Sequence, residues 1–206
     1  MPLVRKPATG TFDSVAPARH DAAVLTMLVH GTDEQRWSAA RAAAALPGSV
    51  PALAEALSRE KNPRVREAVL TSLARIATPE SVETVLPLLR SDDAFVRREA
   101  CDALLAMQAV AWPYVAALLQ DDNADVRVLA CGLVRDMPNE KAVRLYCDLL
   151  DAEPEANVCA AAVEALAEIG GAEALPALTR CAERFKGTPF LIFSIEIAID
   201  RLRSQL

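Results

Sequence analysis

Aromatic residues are scarce in this chain, 4% of 206 residues, and that scarcity is the first constraint on its fold. Sheet cores draw heavily on aromatic and β-branched side chains. A chain that is 52% apolar with so few rings suits helices packed closely through Ala, Leu and Val, so the expected class is all-α. Basic charge is also short: 22 Lys and Arg stand against 28 Asp and Glu, a net charge of −6. Affinity for a phosphate backbone rests on clustered cations, so nucleic acid is not expected as a partner. No run approaches the roughly 18 apolar residues of a membrane span. The first thirty residues also lack an apolar core behind a basic start, so neither insertion nor export is expected and a cytoplasmic location is the default. The two histidines, His20 and His30, lie far apart along one expected helix and are poorly placed to share a metal. No Gly-rich loop that could cradle phosphate is present. No metal, cofactor or catalytic residue is therefore expected.

Five cysteines, an odd number, do not read as a disulfide framework. Cys101 and Cys131 occupy one position of consecutive segments, between core residues, where a small thiol packs as a hydrophobe. Cys147, Cys159 and Cys181 are less regular, and a redox or thioether-forming role stays open for one of them.

What the sequence does contain is a repeat. The stretch from Asn123 to Met137 recurs visibly at 62–76, 93–107 and 155–169, and more weakly at 32–46 and 188–202. The aligned residues Gln35, Val65, Val96, Val126, Val158 and Leu191 are 30, 31, 30, 32 and 33 positions apart, with Gln35 the one lapse from an apolar type. A regular period of this length points to a solenoid, in which each repeat packs on its neighbours.

Residues 1–17 hold Pro2, Pro7, Pro17 and Gly10 among Ser and Thr and are expected to form a non-helical arm. Leu3, Val4, Phe12 and Val15 are its anchors if it straps onto the solenoid. Residues 18–206 are expected to be a single solenoid, opened by a partial repeat over about 18–30 that Gly31 stops. Polar N-caps start the first helices: Thr32, Asn62, Asp93, Asn123, the poorer Glu155, and Thr188. Apolar residues follow at helical spacing, as in Val65, Val69, Leu73 and Ile76, or Val158, Ala162, Leu166 and Ile169. Second helices are expected over about 49–59, 79–90, 111–120, 139–150 and 173–184. Pro51, Pro113 and Pro176 fall in or near first turns, where the missing N–H costs little. Pro87 falls inside its helix and is expected to kink it.

The repeat pattern Asn/Asp-x-x-Val-Arg-x-x-Ala-x-x-Ala-Leu-x-x-Ile/Met, with a second helix ending Leu-Leu, resembles the HEAT-like repeats of the phycobilisome-lyase type. Asn62-Pro-Arg-Val-Arg-Glu-Ala-Val-Leu and Asn123-Ala-Asp-Val-Arg-Val-Leu-Ala carry the likeness best. The resemblance implies a right-handed α-solenoid of about five antiparallel helix pairs, with second helices lining the concave side and a terminal capping helix. That family includes bilin lyases, scaffolds and enzyme accessory proteins. The resemblance also brings to mind an iron-dependent hydroxylase with HEAT-like repeats, but that enzyme depends on His-Glu pairs and this chain has none. A HEAT-like DNA glycosylase would need a basic, aromatic groove, which the charge balance opposes.

Arg36, Arg66, Arg97 and Arg127 share one position in four consecutive first helices, four residues after each N-cap. The expected role is an internal ladder in which each guanidinium spans to acidic or carbonyl groups of the next repeat. An anion-binding strip is the alternative. Cys159 and Ile192 replace Arg in the last two repeats, so the ladder is expected to end there.

The functional expectation is a non-enzymatic module that binds a protein partner on the concave face, as adaptor, scaffold or assembly factor. The alternative is a maturation factor related to the bilin lyases, handling a tetrapyrrole or other cofactor with a second subunit. Counting back from Leu28, Leu57, Leu89, Leu119 and Leu150 selects Thr26, Glu55, Glu83, Thr84, Tyr114, Arg144 and Asp148 as facing away from the core, with Trp112 close by. Tyr114 and Trp112 are the strongest anchors among them, although Trp112 could equally fill an inter-repeat gap. In the last helix the alignment assigns Leu191, Ile195, Ile199 and Leu202 to the core. Phe190, Ile192, Phe193 and Ile197 are left over as an apolar contact patch for a partner or a homodimer, unless the arm or a rotated helix covers them.

Overall fold

The computed structural model describes residues 15–137 and 139–204. The described residues are helical with short connections and contain no strand, and the architecture is the α-solenoid expected. The described residues divide into two compact units, one up to Ser72 and the other from Leu73.

In the first unit, α1 (Val15–His30) packs on α2 (Asp33–Ala43) and α3 (Val50–Arg59), and α4 (Pro63–Ile76) begins. The interface is lined by small and aliphatic residues: Leu28, Ala39, Ala40, Ala43, Leu53, Leu57, Val65 and Val69 are buried. Alanines let neighbouring backbones approach, and two hydroxyls use that closeness. Ser72 donates to the Ala40 carbonyl at 2.8 Å and Ser49 to the Ala43 carbonyl at 2.7 Å. The expected non-helical arm is too long, because Val15–Pro17 belong to α1. Pro17 is the third residue of that helix, where an N–H has no intrahelical acceptor and its loss is tolerated. Residues 1–14, with the suggested anchors Leu3, Val4 and Phe12, lie outside the described residues. Gln35 breaks the apolar alignment for a reason: it closes a capping box, accepting from the Thr32 N–H at 2.9 Å while its own N–H reaches the Thr32 hydroxyl.

The second unit continues with α5 (Pro79–Val85), α6 (Ala94–Ala106), α7 (Gln108–Ala117), α8 (Ala124–Asp136), α9 (Ala142–Ala152), α10 (Ala156–Ile169), α11 (Leu175–Arg184) and α12 (Pro189–Arg203). First helices contact in the order α6, α8, α10, α12; among second helices, α5 meets α7 and α9 meets α11. Between the rows lie Val82, Leu89, Leu104, Leu119, Val126, Val134, Leu150, Leu166 and Leu178. Burial of each such side chain contributes about 1.5–3 kcal/mol. Tyr146 is the largest side chain in this core, fully buried, with its hydroxyl donating to the Cys131 carbonyl.

Two prolines act differently from expectation. Pro87 does not kink a continuous helix: α5 ends at Val85 and residues Leu86–Arg90 continue as a 3₁₀ helix. Pro87 has no N–H for the Glu83 carbonyl, and the tighter winding re-pairs the neighbouring groups. Pro113 lies in the interior of α7 rather than near its first turn, because that helix starts earlier, at Gln108. Pro47-Gly48 and Gly170-Gly171 lie in turns between helices. Gly48 adopts φ +70, and a Cβ at Gly170 would stand 2.5 Å from the Leu166 carbonyl oxygen.

In α12 the buried stripe is Leu191, Ile195, Ala198 and Leu202, so Ala198 takes the place expected for the half-exposed Ile199. Ile76 is likewise half-buried and Ile169 is 38% exposed, both at helix C-termini where the core stripe runs out.

Candidate functional site

The N-cap loops are built on one repeated device. Two residues before the N-cap, a side-chain oxygen accepts the N–H of the capping residue: Glu60 from Asn62 at 2.8 Å, Ser91 from Asp93 at 3.2 Å, Asp121 from Asn123 at 3.0 Å, and Glu153 from Glu155 at 2.9 Å. Asn62, Asp93 and Asn123 then cap the helices that follow them. Glu155 and Thr188 make no side-chain cap bond.

The arginine ladder reads these loops. Arg36 donates to the Gly31 carbonyl at 3.0 Å behind it, and ahead it grips Glu60 with Nε and Nη2 at 2.8 and 3.0 Å. It also reaches Asp33, whose second oxygen accepts from Asn62 at 2.6 Å. Arg127 repeats the scheme. It bonds the Asp121 and Asp122 carbonyls at 2.7 and 3.3 Å, and it holds Glu153 through Nε and Nη2, each at 2.7 Å. The Glu60 and Glu153 side chains are only 3% and 2% exposed. The Arg36 hydrogen bond holds the Glu60 carboxyl below its ordinary value. Burial pushes Glu153 up, but the bonds from Arg127 and the Glu155 N–H outweigh it and leave that carboxyl lowered as well. Arg66 is also engaged. Among the described residues Arg97 makes only the backward half of the contact, to the Ser91 and Asp92 carbonyls at 2.7 and 3.1 Å.

The ladder does not simply end at Cys159. Arg184 of α11 donates to the Leu150 carbonyl at 2.6 Å and to the Glu153 carbonyl, serving the loop that the missing Arg would have served. The Cys159 thiol packs beneath, 3.6 Å from the same Glu153 carbonyl. Sequence reasoning missed Arg184 because it comes from a second helix, outside the aligned position.

Of the eight concave-face candidates, Thr26, Glu55, Glu83, Arg144 and Asp148 are exposed, and Thr84, Trp112 and Tyr114 are half-buried. In the first unit, the Thr26 hydroxyl is turned onto the Ala22 carbonyl and Glu55 pairs with Arg59 at 3.0 Å. In the second, the Tyr114 hydroxyl donates to Glu83 at 3.3 Å, joining α7 to α5 across one repeat. Partial burial, and then the charges of Glu83 and Glu80, push the Tyr114 phenol above its ordinary value. Thr84 bonds the Glu80 carbonyl at 2.7 Å. Arg144 and Asp148 pair loosely at 3.8 Å. A further bridge that the sequence did not suggest, Arg180 to Asp151 at 2.8 Å, joins α11 to α9 in the same manner as Tyr114 and Glu83. Trp112 does not join Tyr114. Residues two positions apart on a helix are roughly 200° apart around its axis, and Trp112 instead lines a cavity of about 340 Å³ with Gln108, Ala109, Met137 and Asn139.

The patch on α12 is real surface: Phe190 is 49%, Phe193 65% and Ile197 51% exposed, while Ile192 is half-buried. A second aromatic site went unnoticed in the sequence. Trp37 lies between the guanidinium groups of Arg41 and Arg64, 4.6 and 4.5 Å from its ring centre. Among the cysteines, Cys131 is fully buried, and burial pushes its thiol up to about 12. Cys101 is half-buried rather than core, with its thiol pushed by burial to about 11. Cys159 and Cys181 are fully buried, and the interaction between their thiols raises the first and lowers the second. Among the described residues no group of His, Cys, Asp and Glu is arranged to hold a metal ion, and no helix is long and apolar enough to cross a membrane.

The family model described as HEAT repeats matches residues 22–106 and 113–185. Two crystal structures, each described as an engineered protein of the Northeast Structural Genomics Consortium, are similar to this chain at 20% identity and TM-score 0.44. One alignment covers 90% of this chain and 97% of the other, and the second covers 89% and 98%. No curated protein matches.

Proposed function

This chain belongs to the HEAT repeat family, whose members generally serve as protein-interaction scaffolds, and from that premise we propose that it is a non-enzymatic protein-binding module. The face proposed for binding is the run of second helices α5 and α7 in the second unit. The observation that carries this reading is the contact between Tyr114 and Glu83. It fixes an aromatic ring beside two exposed carboxylates, Glu80 and Glu83, and no cation pairs with either among the described residues. A half-buried Tyr held by its hydroxyl offers contact area at little entropic cost, and the two carboxylates favour a basic segment of the partner.

Capture from native cell extract by the wild type, set beside Tyr114→Ala and Glu83→Lys, tests this. The protein retained by the wild type is expected to be lost from both variants while their circular dichroism is unchanged. Capture that survives both substitutions rules this face out. The narrower family expectation, cofactor handling of the bilin-lyase kind, is tested separately: a linear tetrapyrrole added to the protein changes its visible spectrum if it is bound.

A further inference from the structure

Among the described residues, Arg97 makes no forward contact of the kind that Arg36 and Arg127 make. Arg36 and Arg127 each turn Nε and Nη2 onto a loop carboxylate, that of Glu60 or Glu153. The residue in the equivalent loop position ahead of Arg97 is Asp121, one methylene shorter. Its carboxylate accepts from the Asn123 N–H at 3.0 Å, as Glu60 and Glu153 do in their loops, and its other bond goes to Arg90 rather than to Arg97. The Nη1 of Arg97 is used on backbone carbonyls, and its Nε and Nη2 have no partner among the described residues. A cavity of about 340 Å³ lies at this place, lined by Arg97, Arg90, Asn123 and Asp125 with Leu89, Val126 and other residues.

We propose that this cavity is a binding site for the carboxylate of a glutamate side chain presented by a protein partner. The chain itself supplies the template: at two equivalent positions the group that occupies a planar, two-donor guanidinium edge is a Glu carboxylate. The apolar wall formed by Leu89 and Val126 suits the methylenes of such a side chain, and the volume is at the small end for a ligand pocket. Three acids oppose the ligand: Asp121, which Arg90 pairs with, Asp92 and Asp125. Asp92 has a counterpart at Arg127, namely Asp122, and the Arg127 site holds Glu153 in spite of it. Asp125 is particular to this cavity, since Asn157 takes its place after Glu155. Asp125 therefore sets the affinity low without changing the geometry. The site is separate from the α5 and α7 face, and neither proposal depends on the other.

The experiment follows the backbone amide resonances of Ser91 and Asn123 in the full chain, at constant ionic strength, during titration with a capped Ala-Glu-Ala peptide. The controls are a capped Ala-Gln-Ala peptide and acetate. A saturable shift with the Glu peptide alone is expected. It is expected to disappear in Arg97→Gln, to disappear in Asp121→Glu, which lengthens the loop carboxylate enough to take the place itself, and to saturate at several-fold lower concentration in Asp125→Asn. Asp121→Glu is also expected to raise the melting temperature, so loss of binding there cannot be put down to unfolding. Equal response to the Gln peptide, no saturation, or an undiminished shift in Asp121→Glu overturns the proposal. Acetate binding as tightly as the Glu peptide overturns the assignment to a partner side chain.

Discussion

Arg127 holds Glu153 through two parallel N–H···O bonds of 2.7 Å each, and the glutamate side chain is only 2% exposed. Removing one partner of such a pair leaves a buried charge without compensation, which costs about 3–5 kcal/mol. Arg127→Ala is therefore expected to lower stability by that order in urea unfolding. Arg64→Ala is expected to cost less than about 1 kcal/mol through its ion pair, since Arg64 and Glu34 are both more than half exposed.

The same carboxylates set an acid limit. Glu60 and Glu153 are both held below their ordinary value in the folded protein. The unfolded chain therefore binds more protons than the folded one once the pH falls below about 4.3, the ordinary glutamate value. Their contribution is fully present above that pH and is lost as the pH falls through the lower, folded values. Unfolding free energy measured from pH 6 to pH 3 is expected to drop steeply in the wild type. In Glu153→Gln the slope is expected to be shallower, from a lower starting stability.

Ala77, between α4 and α5, has φ 49, in the left-handed region where a Cβ is strained. Ala77→Gly is expected to stabilise the protein by about 1 kcal/mol, read as a melting temperature higher by roughly 2–4 °C.

Thiol reactivity is expected to follow burial. With the Cys131 thiol at about 12, its thiolate fraction at pH 8 is on the order of one in ten thousand. Iodoacetamide at pH 8, followed by peptide mass mapping, is expected to modify the half-buried Cys147 and Cys101 well before Cys131, and Cys131 only on the timescale of unfolding.

Phe193 is 65% exposed, whereas Leu191 is fully buried. Leu191→Ala is expected to cost about 2–5 kcal/mol, and Phe193→Glu less than about 0.5 kcal/mol. Self-association through α12, raised by the sequence, requires a concentration-dependent mass in the wild type that Phe193→Glu abolishes. Light scattering on the two proteins gives the answer.

The sequence by itself determined the helix pairs, their period and most of the buried stripe, because a repeated 3.6-residue pattern and a polar N-cap are local signals that each copy restates. It also placed four arginines in register, since register needs only alignment. Pairing was a different matter. That Glu60 and Glu153 reach their arginines while Asp121 does not depends on one methylene across a loop more than twenty residues away. That Arg184 serves the loop that Cys159 cannot depends on which face of a second helix meets that loop. Trp112 and Tyr114 looked like neighbours in the sequence but were parted by the helical turn, and Trp37 between Arg41 and Arg64 exists only because α2 and α4 lie side by side. Such contacts belong to side-chain reach and helix rotation in three dimensions, and only the tertiary structure could decide them.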